Sequence, residues 1–112
     1  MLPQQFLANL YASNRYTARK LLIAASDSQL KLLLYLLHFI AIGEIPLTRE
    51  NFNSISKGRK ASFLFKNFAD KTKTKTLLKS DRTKKLHQLF QLSSAFKHLL
   101  TRVFKLKESE NE

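Results

Sequence analysis

Eleven lysines and arginines fall between Lys57 and Lys85: Lys57, Arg59, Lys60, Lys66, Lys71, Lys73, Lys75, Lys79, Arg82, Lys84 and Lys85. Only Asp70 and Asp81 oppose them in that stretch. Cations at this density neutralise phosphates, and the interleaved threonines and serines add hydroxyl donors for phosphate oxygens. An ordinary solvated helix face mixes both signs, so this composition reads as an anion-binding surface. Lysine outnumbers arginine more than two to one in the chain. That balance suits diffuse phosphate neutralisation better than the bidentate reading of guanine edges that arginine provides. The expected chemistry is largely sequence-independent binding of nucleic acid, DNA or RNA, driven by counterion release. An acidic protein surface is the other partner that this charge would attract.

Phe63 lies among Arg59, Lys60 and Lys66, on the helix face opposite Ala61, Leu64, Phe65 and Phe68, whose spacing marks an inward apolar face. An exposed ring there is a candidate for base stacking. The competing expectation buries it under neighbouring helices, since large exposed aromatics are uncommon without a partner. Lys57-Gly58-Arg59-Lys60 also fits a nuclear-import patch.

Catalysis needs titratable groups or metal ligands that converge in a pocket, and no such constellation is evident. His87 and His98 are eleven residues apart, about three turns on one helix and beyond the reach of one metal ion. His38 sits alone in an apolar run. The two glycines are isolated, so no phosphate-cradling loop can form. The expectation is a binding protein, not an enzyme, with no catalytic, metal or cofactor residues.

These side chains must be positioned by helices. Hydrophobic residues make up 44% of the chain, with only two glycines and two prolines, which argues against disorder and against a turn-rich β architecture. Without cysteine there is no disulfide or thiolate site, so packing alone must hold the fold. The spacing predicts an all-α bundle of four to five helices. Pro3 opens a first helix to about Ala12, and Asn14 caps a second over Arg15 to Ala25. Ser26 and Gln29 form a capping box for a central helix that Gly43 ends. In that helix Lys31, Tyr35 and His38 make one narrow polar stripe. Thr48 caps a fourth helix, interrupted near Gly58.

The helical core is thus expected over residues 1–70. Asp70 to Thr76 alternates charge with threonine and reads as an exposed linker over 71–80. Ser80 would cap a long amphipathic last helix over 81–107, with Leu86, Leu89, Phe90, Phe96, Leu99, Leu100, Val103 and Phe104 in its stripe and Ser93 and Ser94 midway. That helix either packs on the core or reaches a partner, a second copy included. An acidic frayed tail is expected over 108–112.

Net charge is +12, and residues 51–87 carry eleven cations against two acids. Long-range attraction toward anions follows. The apolar run Leu32 to Ile42 spans eleven residues, whereas a membrane-spanning helix needs about twenty. Met1 to Leu10 lacks the features of a secretory signal. An intracellular protein, neither secreted nor transmembrane, is expected. Surface membrane binding by the last helix ranks below nucleic acid, because the acidic tail would oppose an anionic bilayer.

The chain also resembles a known group of proteins. Ser26-Asp27-Ser28-Gln29-Leu30 opens a leucine-rich helix, Gly43-Glu44-Ile45-Pro46-Leu47-Thr48 connects it onward, and Lys57 to Lys60 precedes Phe68-Ala69-Asp70-Lys71. This succession, about residues 15–75, is similar to small basic proteins of Polinton or Maverick elements and adintoviruses. The resemblance implies a viral or mobile-element protein of the nucleus or virion, associated with a packaged genome or the capsid interior. Members of that group often end in a lysine-rich stretch and a glycine-containing apolar tail, whereas Lys84 to Phe104 contains no glycine.

Overall fold

The computed structural model describes residues 3–103, and among these no strand occurs. Eight helices follow in order: α1 Pro3–Tyr11, α2 Arg15–Ala24, α3 Asp27–Ala41, α4 Arg49–Ser56, α5 Lys60–Phe68, α6 Lys71–Lys79, α7 Arg82–Phe90 and α8 Phe96–Leu99. The all-α expectation is met with more and shorter helices than the four or five the periodicity predicts. The expected acidic tail, and the last helix beyond residue 103, lie outside the described residues.

Local chemistry sets most helix starts. The Asn14 side chain accepts from Thr17 N at 2.9 Å. The Ser26 hydroxyl accepts from Gln29 N while the Gln29 side chain accepts from Ser26 N, a reciprocal capping box. Thr48 accepts from Asn51 N at 3.1 Å. α3 ends where Gly43 takes φ +86°. There Glu44 N donates to Phe39 O and Gly43 N to Ile40 O, the paired bonds that close a helix through a left-handed residue.

α3 is the axis of the molecule. Leu30, Leu33, Leu34 and Leu37 are fully buried, and α1, α5 and α6 pack around it. One hydrophobic cluster runs from Phe6 to Leu100. His38 ties the axis to its neighbours, because its Nδ1 lies 2.7 Å from Phe68 O. That contact satisfies a carbonyl at the end of α5, where the helix itself offers no partner.

Two segments depart from the sequence-based expectation. The supposed linker is α6. Asp70 caps it by accepting from Lys73 N at 3.0 Å, and Thr74 and Leu77 are buried. The Thr74 hydroxyl donates to Asp70 O and Phe68 O. Alternating lysines do not oppose this helix as strongly as they would an extended chain, because residues i and i+2 point to different sides. One cap and one buried face outweigh modest local propensity.

The long last helix is also absent as a single rod. α7 begins with Asp81, not Ser80, as its cap, since Asp81 accepts from Lys84 N at 2.8 Å. The Ser80 hydroxyl instead donates to Leu77 O, closing α6. After Phe90 the chain tightens into three-residue turns: Leu92 N bonds Leu89 O, Ser93 N bonds Phe90 O and Ala95 N bonds Leu92 O. The Ser93 hydroxyl also donates to Phe90 O at 2.9 Å. The bend has a packing cause. α7 lies against α2 and α6, whereas α8 lies against α1 and α4, and Leu92, Phe96, Leu99 and Leu100 are all buried there. A straight helix would carry that stripe away from the core. Through residue 100 this apolar stripe is therefore used inside the chain, the first of the two alternatives open for it, packing on the core.

Candidate nucleic-acid interface

α6 stands as a ridge with cations on both flanks. Lys71, Lys73, Lys75 and Lys79 are all exposed, with Thr72 and Thr76 between them. On one flank Lys73 and Lys84 face a cleft of about 240 Å³ that Asn67, Thr72, Thr76 and Gln88 also line. On the other, Lys75 and Lys79 meet Lys31 and Tyr35 of α3 around Leu78 in a groove of about 380 Å³. Among the described residues, no carboxylate lines either depression. Among the described residues, no lysine or arginine pairs with a carboxylate. Ammonium groups, hydroxyls and side-chain amides so arranged can donate to phosphate oxygens from several directions.

Helix N-termini do not add to this surface. The amides that would hold an anion at the starts of α6 and α7 already serve Asp70 and Asp81, and those carboxylates would repel a phosphate placed there. Anion contacts must come from side chains.

The remaining sequence-predicted cations fall into two groups. Lys57 and Arg59 are exposed in the turn between α4 and α5, Lys60 is half-buried at the start of α5, and Lys66 is exposed on it. Lys73 Nζ reaches the backbone carbonyl of Lys66 at 3.5 Å, which ties the α6 ridge to the last turn of α5. Arg82 and Lys85 are different. Arg82 donates to Ile23 O at 2.6 Å and to Leu22 O at 3.4 Å, so its guanidinium satisfies carbonyls at the end of α2. Lys85 is only 3% exposed, and its Nζ donates to Ser80 O at 2.6 Å. Both hold helices together. A neighbouring contact does the same, since the Arg19 guanidinium lies 5.4 Å over the Phe90 ring.

This division gives a direct prediction. Lys85→Met keeps most of the side-chain volume but leaves Ser80 O without its partner, which should cost about 1–3 kcal/mol in denaturant unfolding. Nucleic-acid affinity at constant salt should be unchanged below the melting transition. A folded Lys85→Met protein with a flattened salt dependence would return Lys85 to the interface.

Of the aromatic residues, Phe63 takes the packed position that competed with base stacking, and Phe65 departs from its sequence reading. Phe63 is half-buried against the core, its ring centroid 6.3 Å from that of Phe68. The reason is that α3, α4 and α6 all wall α5, so more than one of its faces is covered. Phe65, expected inward, is 37% exposed and pairs with Phe52, itself exposed, at 6.2 Å. Tyr35 and Lys31 were not among the binding residues read from the sequence. Their membership in the polar stripe of α3 was the available signal. Only the packing of α6 on α3 shows that this stripe borders the lysine ridge.

Among the described residues no group of three His, Cys, Asp or Glu side chains could hold a metal ion. No helix among them is long and apolar enough to cross a membrane. The chain matches no protein-family model, no curated protein and no solved structure.

Proposed function

We propose that this protein is a non-enzymatic nucleic-acid-binding protein that holds phosphates along α6 and its flanks without strong sequence preference. The observation that carries the reading is the α6 ridge: Lys71, Lys73, Lys75 and Lys79 exposed, Lys84 and Lys31 beside them, and, among the described residues, no carboxylate in either flanking depression. Such a surface attracts any polyanion, and polynucleotides present the densest array of phosphates. Packaging of a genome, DNA in particular, inside a nucleus or virion is the role consistent with the resemblance to Polinton and adintovirus proteins.

The test is fluorescence anisotropy with labelled duplex DNA, single-stranded DNA and RNA, from low to physiological salt. Submicromolar binding at low salt is expected, with log affinity falling against log salt by about 0.9 per phosphate contacted on duplex. Replacing Lys73, Lys75, Lys79 and Lys84 by glutamine should lower affinity steeply and flatten that slope by about 0.9 for each lysine that contacts a phosphate. Affinity no greater than that of an unstructured peptide of equal charge would refute the proposal.

A second reading, an assembly subunit that docks on another protein, has one observation in its favour. Ile42, Phe52 and Phe65 are exposed around an apolar groove of about 570 Å³ bounded by the connector after α3, and exposed apolar patches often mark protein contacts. Tight, selective binding to one protein with weak, salt-insensitive nucleic-acid binding would favour it.

A further inference from the structure

We propose that the groove between α3 and α6 is a subsite for an unpaired base of single-stranded nucleic acid. Tyr35 stacks on the base, and Lys31, Lys75 and Lys79 hold the adjoining phosphates. The inference deepens the nucleic-acid reading and rests on it.

Tyr35 is 50% exposed, and among the described residues its ring has no aromatic or cationic partner and its hydroxyl no hydrogen bond. The other exposed aromatics are engaged. Arg15 donates to the Tyr16 hydroxyl at 3.2 Å and its guanidinium lies 5.0 Å from the ring centroid. Phe52 and Phe65 face each other across the apolar groove. Tyr35 alone of these lies between lysines, with Leu78 completing an apolar contact in the same depression.

The register suits a strand passing over an anchored base. Lys31 and Tyr35 are one turn apart on α3, and Lys75 and Lys79 one turn apart on α6, so each pair projects from one side of the groove. α3 is held by fully buried leucines on either side of Tyr35, Leu34 and Leu37 among them. The ring is thus mounted on a helix anchored in the core, and little ordering of the backbone opposes its use. Stacking of this kind requires a base with a free face. In a duplex both faces are covered by neighbouring pairs, so the subsite selects unpaired strands or flipped bases.

Three probes test this at one fixed salt: a labelled oligo(dT), a duplex of equal length, and polyglutamate. Tyr35→Ala should weaken oligo(dT) binding about tenfold or more, with a much smaller change for duplex. Tyr35→Trp introduces the single tryptophan of the chain, and its emission should be quenched by oligo(dT). Because Tyr35 is half exposed, a thermal melt of both variants should match the wild type, which separates lost contact from lost fold. If the wild type binds both nucleic acids and Tyr35→Ala binds oligo(dT) unchanged, the subsite is refuted while phosphate binding stands. If the wild type binds neither, both readings fall. Polyglutamate bound as tightly as oligo(dT), with the same loss on Tyr35→Ala, would assign the groove to an acidic protein and overturn the inference.

Discussion

Phe96→Ala is expected to destabilise the protein by about 3–5 kcal/mol, as buried phenylalanine truncations do. Phe96 is fully buried and shares that status with Phe6 and Phe68, the other large rings of the core. It follows the tight turns after Phe90, in the segment that packs on α1 and α4. Removing the ring opens a cavity between elements from both ends of the chain. Total stability of a domain this size is about 5–15 kcal/mol, so the loss takes a large share. Denaturant unfolding followed by circular dichroism measures it, with Phe96→Leu as the milder companion at about 1.5 kcal/mol or less. A change below about 1 kcal/mol for Phe96→Ala would mean that this segment is an arm and not part of the core.

The second large effect concerns α6. Thr76→Pro should cost about 3 kcal/mol or more, because proline removes the backbone donor to Thr72 O and its ring clashes with that carbonyl. Thr76 is exposed, and its hydroxyl bonds only back to Thr72 O. Thr76→Ala should therefore be neutral or stabilising by a few tenths of a kcal/mol, about the difference in helix propensity. The pair carries the diagnosis. In an extended linker both substitutions would be nearly silent, and proline would be tolerated as well as alanine. Equal melting temperatures for the two variants would restore the linker. Phosphate binding should follow the same order, since a broken α6 no longer holds Lys73 and Lys75 on opposite flanks.

The sequence made much of the scaffold legible because its signals are local. Asn14, Ser26 with Gln29, and Thr48 each act on an amide three residues away, and Gly43 permits a backbone turn that other residues resist. These choices need no knowledge of neighbours. Asp70 and Asp81 are equally local caps. Their signals are masked in the sequence by the lysine-threonine repeat, which reads as extended chain before α7, and by Ser80, which competes as a cap.

Composition, periodicity and residue order were enough for the helical state, the central place of the leucine-rich helix, and the concentration of positive charge between Lys57 and Lys85. Tertiary structure decided which of those cations face solvent. Lys85 and Lys84 are adjacent in sequence, yet one is buried on Ser80 O and the other lines a cleft. Arg82 meets carbonyls some sixty residues earlier, and Tyr35 joins Lys75 and Lys79 only where α6 lies on α3. The physical reason is range. Caps and periodicity act within about one turn and can be read from neighbouring letters, whereas burial of a cation or exposure of a ring depends on which distant helices have packed beside it.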